Sequence, residues 1–124
     1  MTQNTVIITA EKKDKTIIKT VKSCLNQTNK SLEIIVAYSK FENENYIKKN
    51  IKSKKVIFFK IKKKLKNKVQ DQLFKIKKSL EISKGRIIYL LDGDDIFKKE
   101  KIEIISKTIN TKEIMVLDNY FVLM

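Results

Sequence analysis

Short apolar runs recur along this chain every two to three dozen residues, with longer, mostly polar stretches between them. Each run is too short for a buried helix and is rich in isoleucine and valine, as is typical of strands covered on both faces. The runs that predict strands are Val6–Ile8, Leu32–Ala37, Val56–Ile61, Ile87–Leu91, Ile114–Leu117 and the final extended segment Tyr120–Met124. Because helical patterns separate the first five runs, the sequence predicts an α/β fold with a mostly parallel sheet and helices on both faces.

Four helices are predicted from apolar residues that repeat at intervals of three and four. Their apolar stripes are Ile17, Ile18, Val21, Cys24 and Leu25; Tyr46, Ile47 and Ile51; Val69, Leu73, Ile76 and Leu80; and Ile102, Ile105 and Ile109. We expect the second helix to run over Glu42–Lys52 and the third over Asn67–Ser83. Asp14 is the predicted N-cap of the first helix, Gly85 the C-cap glycine of the third, and Asn110 the end of the fourth.

Three carboxylates follow the fourth apolar run at once: Asp92 and Asp94 flank Gly93, and Asp95 comes next. Asp is a poor strand former, so the strand should end at Leu91 or Asp92, where Gly93 lets the backbone turn. Carboxylates this close repel one another unless a cation or backbone N–H groups compensate them. An all-oxygen cluster suits a hard divalent ion, which predicts Mg2+ or Mn2+ here.

A simpler interpretation of the same segment is helix capping, with Asp94 or Asp95 as the N-cap of a helix that starts near Ile96. The predicted topology favours the metal. In a doubly wound sheet, ligands bind beyond the carboxyl ends of the strands where the strand order reverses, and the first and fourth strands are commonly neighbours there. Thr9–Glu11 would then face Asp92–Asp94 across the expected crevice.

The 124-residue chain is strongly basic, with a formal net charge of +14 from 27 lysines and one arginine against 14 acids. One interpretation is a polyanionic partner such as nucleic acid, an anionic membrane or a phosphorylated ligand. The other is a compositional bias, because lysines occur in every segment, and the scarcity of arginine argues against specific nucleic-acid recognition. The segment Lys54–Lys68 contains eight lysines and has two interpretations. It is either a functional patch that contacts acidic lipid or a nucleotide diphosphate, or a buried strand followed by a solvated loop.

A single cysteine and the lack of histidine limit the chemistry of the chain. One cysteine excludes an internal disulfide, and the place of Cys24 on an apolar helix face makes it a core residue and not a nucleophile. Without histidine, Ser–His and Cys–His catalytic pairs are excluded. We find no signal peptide and no apolar run of membrane-spanning length. The expected location is the cytoplasm, either free or peripheral at the inner face of the membrane.

Four blocks of the sequence, in order and at matching spacing, resemble the nucleotide-binding half of family 2 glycosyltransferases, which have the GT-A fold. These blocks are Val6–Thr9, Ser23–Thr28, Glu33–Val36 and Gly85–Asp95. The resemblance implies a Rossmann-like GT-A nucleotide-binding sandwich that occupies residues 1–124 as a single domain. It also implies a truncated domain, because the acceptor-binding half of the family has no counterpart in the sequence.

The resemblance further implies an enzyme that transfers a sugar from a nucleotide-sugar donor to a glycan or lipid-linked acceptor. Mg2+ or Mn2+ would bridge the donor diphosphate at the D-x-D motif formed by Asp92, Gly93 and Asp94. Asp92 would contact both donor and metal, Asp94 would hold the metal, and Asp95 would have a secondary part in the metal site. The residues implied to border the nucleoside are Thr9, Ala10 and Glu11. No catalytic residue is assigned.

Two segments depart from the family pattern. Where the family carries an Asp that contacts the base after its second strand, this chain has Ala37–Lys40, in which Tyr38 could stack on a base but offers no carboxylate to its N–H. The family's A-R-N-x-G segment is here Lys75–Ser79. Two other hypotheses therefore stay open: a non-catalytic remnant of the same fold, and a basic protein that binds polyanions or membrane surfaces. A partner chain or oligomer that supplies the missing half is a further expectation.

Overall fold

The computed structural model of the chain describes residues 2–13, 15–108, 114–117 and 120–123. The strands are β1 Asn4–Thr9, β2 Leu32–Tyr38, β3 Val56–Lys60, β4 Ile87–Asp92, β5 Ile114–Leu117 and β6 Tyr120–Leu123. The helices are α1 Ile17–Leu25, α2 Glu44–Asn50, α3 Lys68–Ile82 and α4 Lys101–Thr108. Strands and helices alternate through β5, as the spacing of the apolar runs predicts. Within the described ranges, no helix combines the length and the apolar character needed to cross a bilayer.

The described strands form one six-stranded sheet in the order β3-β2-β1-β4-β5-β6. The first five strands are parallel, and β6 pairs with β5 in the antiparallel direction. The strand order reverses between β1 and β4, and the pairing places Thr9 of β1 directly beside Asp92 of β4. The predicted mostly parallel α/β sheet is confirmed, as is the adjacency of the first and fourth strands.

Alternate residues of the central strands belong to opposite faces of the sheet. On one face, Val6 and Ile8 of β1 share a buried cluster with residues of α1, α2 and α4, including Val21, Ile47 and Ile102. The other face carries α3, which contacts β1 and β2. Helices therefore cover both faces, as predicted.

Helix α3 has the predicted extent but not the predicted orientation. Its apolar stripe does not pack on the sheet, because Val69 is 65% exposed and Leu73 is 59% exposed. The side toward the sheet carries Asp71, Lys75 and Ser79 instead, and all three are buried. The spacing of apolar residues identifies a helix, but it does not by itself show which side of the helix is buried. A polar side can be buried instead when its groups are paired with one another.

The two ends of α3 are defined by polar side chains. Asn67 is the N-cap, and its side chain accepts a hydrogen bond from the N–H of Gln70 over 3.0 Å. The C-cap is Ser83, so the prediction that Gly85 caps the helix is wrong. Gly85 is required for another reason, because a Cβ atom at that position would lie 2.5 Å from the backbone nitrogen of Thr5. The glycine lets the chain pass close to β1 as it enters β4.

A series of hydrogen bonds between polar groups stabilises the contact of Gly85 with β1, at the amino ends of the strands. Gly85 N–H donates to Thr5 Oγ1 over 2.8 Å, and Thr5 Oγ1 donates to Glu33 Oε2 over 2.7 Å. Glu33 is the second residue of β2 and is buried, and it also accepts a hydrogen bond from the N–H of Lys84. The glutamate of the second block and the glycine of the fourth are thereby joined in space.

The other helices agree with the predicted stripes except at one position. Ile17, Val21 and Cys24 of α1 are buried, and burial raises the pKa of the Cys24 thiol to about 12, as expected for a core cysteine. Helix α2 is shorter than predicted, and Tyr46 of its predicted stripe is exposed. In α4, Ile102 is buried. The predicted helix-end residues Asp14 and Asn110, together with Ile109 of the last stripe, lie outside the described residues.

Candidate functional site

A cavity of about 240 Å³ opens where β1 and β4 end, beneath the first half of α3. Its walls come from three places in the sequence: the segment after β1, the turn after β4 and the start of α3. The lining residues are Thr9, Ala10, Glu11, Lys68, Val69, Asp71, Gln72, Lys75, Asp92, Gly93 and Asp94. The sequence-predicted residues at the ends of the two strands are thus brought together around one space, in the crevice that the strand order predicts.

The three carboxylates after β4 converge. Asp92, Asp94 and Asp95 can each offer one oxygen atom such that the three atoms lie within 4.8 Å of one another. Oxygen ligands at this spacing fit Mg2+ or Mn2+, which prefer carboxylates. The capping alternative is wrong, because α4 begins at Lys101 and no helix starts near Ile96.

Hydrogen bonds from two directions hold the turn that carries these carboxylates. On the β1 side, Gly93 N–H donates to the carbonyl of Thr9 over 3.0 Å. On the α1 side, the hydroxyl of Thr20 donates to the carbonyl of Gly93, also over 3.0 Å. The turn itself is closed by a bond from Asp95 N–H to the carbonyl of Asp92 over 3.0 Å. The turn that carries the carboxylates is therefore anchored to both β1 and α1.

The segment after the carboxylates is anchored to α1 by a buried glutamine. The side-chain amide of Gln27 donates to the carbonyl of Lys98 over 2.7 Å and to that of Ser23 over 3.1 Å. Its oxygen accepts the N–H of Ile102 over 3.1 Å, which satisfies one of the free N–H groups at the start of α4. The hydroxyl of Ser23 accepts the N–H of Phe97 over 3.1 Å. The block Ser23–Thr28 therefore supports the carboxylate turn from behind.

Sequence reasoning missed Gln72, which links α3 to the candidate metal site. Its side-chain nitrogen donates to Asp92 Oδ1 over 2.8 Å and to Thr9 Oγ1 over 3.1 Å. No pattern in the sequence marks this residue, because its role depends on where α3 crosses the sheet.

An ion pair between Asp71 and Lys75 lies at the inner wall of the cavity and was also missed. Lys75 is 3% exposed, and its ammonium lies 2.9 Å from Asp71 Oδ2 and 3.2 Å from the carbonyl of Ala10. Burial alone would raise the pKa of Asp71, but the N–H of Leu65 at 2.9 Å and the Lys75 ammonium together lower it. An acid four residues before a lysine is the signal that could have revealed the pair.

Of two residues expected near the nucleoside, Glu11 lies at the cavity and Tyr38 does not. Glu11 borders the cavity and lies 3.6 Å from the ammonium of Lys68 in an exposed ion pair. Tyr38 is 0% exposed and its ring stacks on Phe41, with centroids 4.4 Å apart. A ring in this position has no face open to a base, so the structure does not bring Tyr38 to the cavity.

Comparisons with known proteins give a family and a fold. Among solved structures, crystal structures of S. aureus TarS are similar to this chain. For TarS 1–349 the TM-score is 0.71 at 15% sequence identity, over 87% of this chain and 32% of that one. For a second TarS structure the TM-score is 0.66 at 15% identity, over 87% of this chain and 19% of that one. This chain therefore spans less than a third of either, and the likeness shows the fold.

The comparison with curated proteins finds no match. The comparison with family descriptions matches "Glycosyl transferase family 2" over residues 5–122, which is nearly the whole chain. The resemblance seen in the four sequence blocks is thereby confirmed, together with the GT-A type of sheet. The chain belongs to glycosyl transferase family 2.

Proposed function

We propose that this chain binds a nucleotide-sugar donor in the cavity between β1, β4 and α3, with Mg2+ or Mn2+ held by Asp92 and Asp94. Asp95 would have the secondary part in the metal site. The observation that carries the proposal is the convergence of the three carboxylates beside that cavity, at the point where the strand order reverses. The reaction we propose is transfer of the sugar to a glycan or lipid-linked acceptor.

The residues around the cavity suit a diphosphate and a nucleoside. A divalent ion, when bound, would stabilise the negative charge that the leaving diphosphate gains during transfer. Asp92 would orient the donor, with one carboxylate oxygen already held by Gln72. Thr9 and the backbone of Ala10 and Glu11 would border the nucleoside, because they line the same cavity at the end of β1.

One observation favours a second candidate, a non-catalytic remnant of the same fold. The β2 strand ends in Ala37 and Tyr38, with the Tyr38 ring buried against Phe41, so this strand end lacks the carboxylate that would accept a hydrogen bond from a base. A remnant would keep the sheet and the carboxylate turn but would bind nucleotides weakly or not at all.

Thermal unfolding with a panel of nucleoside diphosphates, with and without Mn2+, separates the two candidates. A ligand that binds only the folded chain raises its unfolding temperature. We expect a metal-dependent rise for at least one nucleoside diphosphate, and we expect Asp92→Asn combined with Asp94→Asn to abolish it. The matched control is Glu42→Gln with Glu100→Gln, which makes the same charge change at two exposed acids outside the cavity. If no nucleotide stabilises the chain with any metal, the remnant is the correct interpretation.

A further inference from the structure

Helix α3 presents apolar side chains to solvent beside the opening of the cavity. Val69 and Leu73 stand one turn apart and are both mostly exposed, while Ile76 and Leu80 of the same stripe are half-buried. Exposed apolar side chains that stand singly need no explanation, but two on adjacent turns of one helix form a continuous surface. We use the name α3 stripe for the two exposed residues alone, Val69 and Leu73.

The segment of the chain that carries the α3 stripe is rich in lysine. Between residues 62 and 82 the chain has eight lysines and two acids. One acid, Asp71, is buried against Lys75, and the other, Glu81, lies 3.9 Å from Lys78. Four lysines just before the helix are exposed, and we call them the lysine collar: Lys62, Lys63, Lys64 and Lys66. The chain segment that carries the stripe therefore has a net positive charge, while the acids Glu11, Asp92 and Asp94 line the cavity on the other side of Val69.

We propose that the α3 stripe and the lysine collar form a docking surface for an anionic lipid bilayer. Apolar side chains on a helix that carries lysines at its flanks enter the interface between headgroups and acyl chains, and the lysines are attracted to anionic headgroups. A second copy of the chain fits this surface poorly, because a symmetric contact would bring two lysine collars together. The bilayer matches both the apolar and the charged character of the surface.

The proposed docking surface lies next to the cavity. Val69 belongs to the α3 stripe and also lines the cavity, next to Lys68. A bilayer in contact with the stripe would therefore lie at the cavity entrance. If the proposed transfer reaction holds, this contact would bring a lipid-linked acceptor to the donor. The delivery of an acceptor rests on the proposed function, whereas membrane binding itself does not.

The chain has no tryptophan, so a single introduced tryptophan reports on insertion. In Leu73→Trp, we expect the emission to move to shorter wavelength when vesicles of phosphatidylcholine with a quarter phosphatidylserine are added. The matched control is Ile104→Trp, at a 61% exposed position on α4, on the other side of the sheet. Its emission should not move. Equal shifts in both variants, or no shift in Leu73→Trp, would overturn the proposal.

Vesicle flotation then separates this surface from the general basic character of the chain. We expect Val69→Ser with Leu73→Ser to weaken partition into the anionic vesicles about tenfold. Tyr46→Ser with Ile104→Ser, two other exposed apolar positions, should change it less than about twofold.

The lysine collar is tested by the same flotation assay. Lys62→Gln, Lys63→Gln and Lys64→Gln together should weaken binding more than Lys19→Gln, Lys22→Gln and Lys49→Gln, which remove the same charge at exposed sites on α1 and α2. Equal losses from the two sets would mean that binding is a non-specific effect of net charge, and the proposal would be wrong. The assay contains no nucleotide or metal, so its failure leaves the proposed donor site untouched.

Discussion

Gln72 on α3 donates a hydrogen bond to Asp92 Oδ1 over 2.8 Å, which ties the helix on one face of the sheet to the carboxylate at the end of β4. The same amide group also bonds Thr9 Oγ1 over 3.1 Å, so a single side chain joins α3, β1 and β4 at the mouth of the cavity. One oxygen of Asp92 is thereby held by the amide of Gln72. Gln72 is therefore a positioning residue for the proposed site.

Replacing Gln72 with leucine should weaken metal-dependent nucleotide binding about fivefold, because Asp92 loses the hydrogen bond that orients it. The free energy of unfolding should change by less than about 0.5 kcal/mol, since the side chain is exposed. Gln70→Leu on the same helix is the matched control, and calorimetric titration measures both variants. Equal affinities for Gln72→Leu, Gln70→Leu and the unmodified chain would remove Gln72 from the site.

The buried pair Asp71–Lys75 should make stability depend on pH in the acidic range. The pKa of Asp71 is lower in the folded chain than in the unfolded chain, so its contribution is present above an unfolded pKa of about 4 and is lost as the pH falls through the folded value. We expect Asp71→Asn to cost about 3 kcal/mol at neutral pH, because it leaves Lys75 buried without its partner.

Urea unfolding of Asp71→Asn and the unmodified chain, from neutral pH down to about pH 3, measures this dependence. The difference between the two free energies of unfolding should be constant near neutral pH and shrink below about pH 4. Glu81→Gln is the control, because it removes an exposed pair with Lys78 and should cost less than about 0.5 kcal/mol. A difference that stays constant down to about pH 3 would contradict the lowered pKa of Asp71.

Gln27 should be among the most sensitive positions in the chain. Its buried amide makes three hydrogen bonds, to the carbonyls of Ser23 and Lys98 and from the N–H of Ile102. We expect Gln27→Ala to lower the free energy of unfolding by about 3 kcal/mol, because these groups lose their partner in a buried place. Asn26→Ala, at the exposed neighbouring position, should cost less than about 1 kcal/mol in the same urea experiment. Similar losses for the two variants would show that the anchor is unimportant.

Gly85 should not tolerate even a methyl group. A Cβ atom there would lie 2.5 Å from both the nitrogen and the hydroxyl oxygen of Thr5, and the backbone nitrogen cannot move without disturbing β1. We expect Gly85→Ala to destabilise the chain by about 3 kcal/mol, and Lys84→Ala, which keeps its backbone hydrogen bond to Glu33, to be nearly neutral. Thermal and urea unfolding both measure the effect. A stable Gly85→Ala chain would mean that β4 can enter the sheet by another path.

The sequence predicted the parts of the fold that depend on local pattern and on topology. The apolar runs identified the strands, and the common order of a doubly wound sheet predicted that the ends of the first and fourth strands meet, as Thr9 and Asp92 do. The orientation of α3 was not predictable in this way, because Asp71 and Lys75 take the buried side and their partners, Leu65 and Ala10, lie on other elements.

Residues whose roles depend on long-range contacts were the ones that sequence reasoning misjudged or missed. Gly85 looked like a helix cap, but its close approach to Thr5 involves a strand eighty residues away. Tyr38 has the chemistry for base stacking, yet its ring is buried between Phe41 and Phe58 of the neighbouring strand β3. Gln72 carries no local signal at all, since only the crossing of α3 over the sheet brings its amide to Asp92.

Calorimetric titration of UDP into the chain with Mn2+, repeated with EDTA, tests the central claim most directly, because it measures donor-nucleotide binding and its dependence on the metal together. We predict binding that requires Mn2+, disappears with EDTA, and is lost when Asp92→Asn and Asp94→Asn are combined. Other nucleoside diphosphates are titrated in the same way, so that the choice of uridine does not decide the result. Binding that survives EDTA or the double substitution, or the absence of binding for every nucleotide, would contradict the proposed metal-dependent donor site.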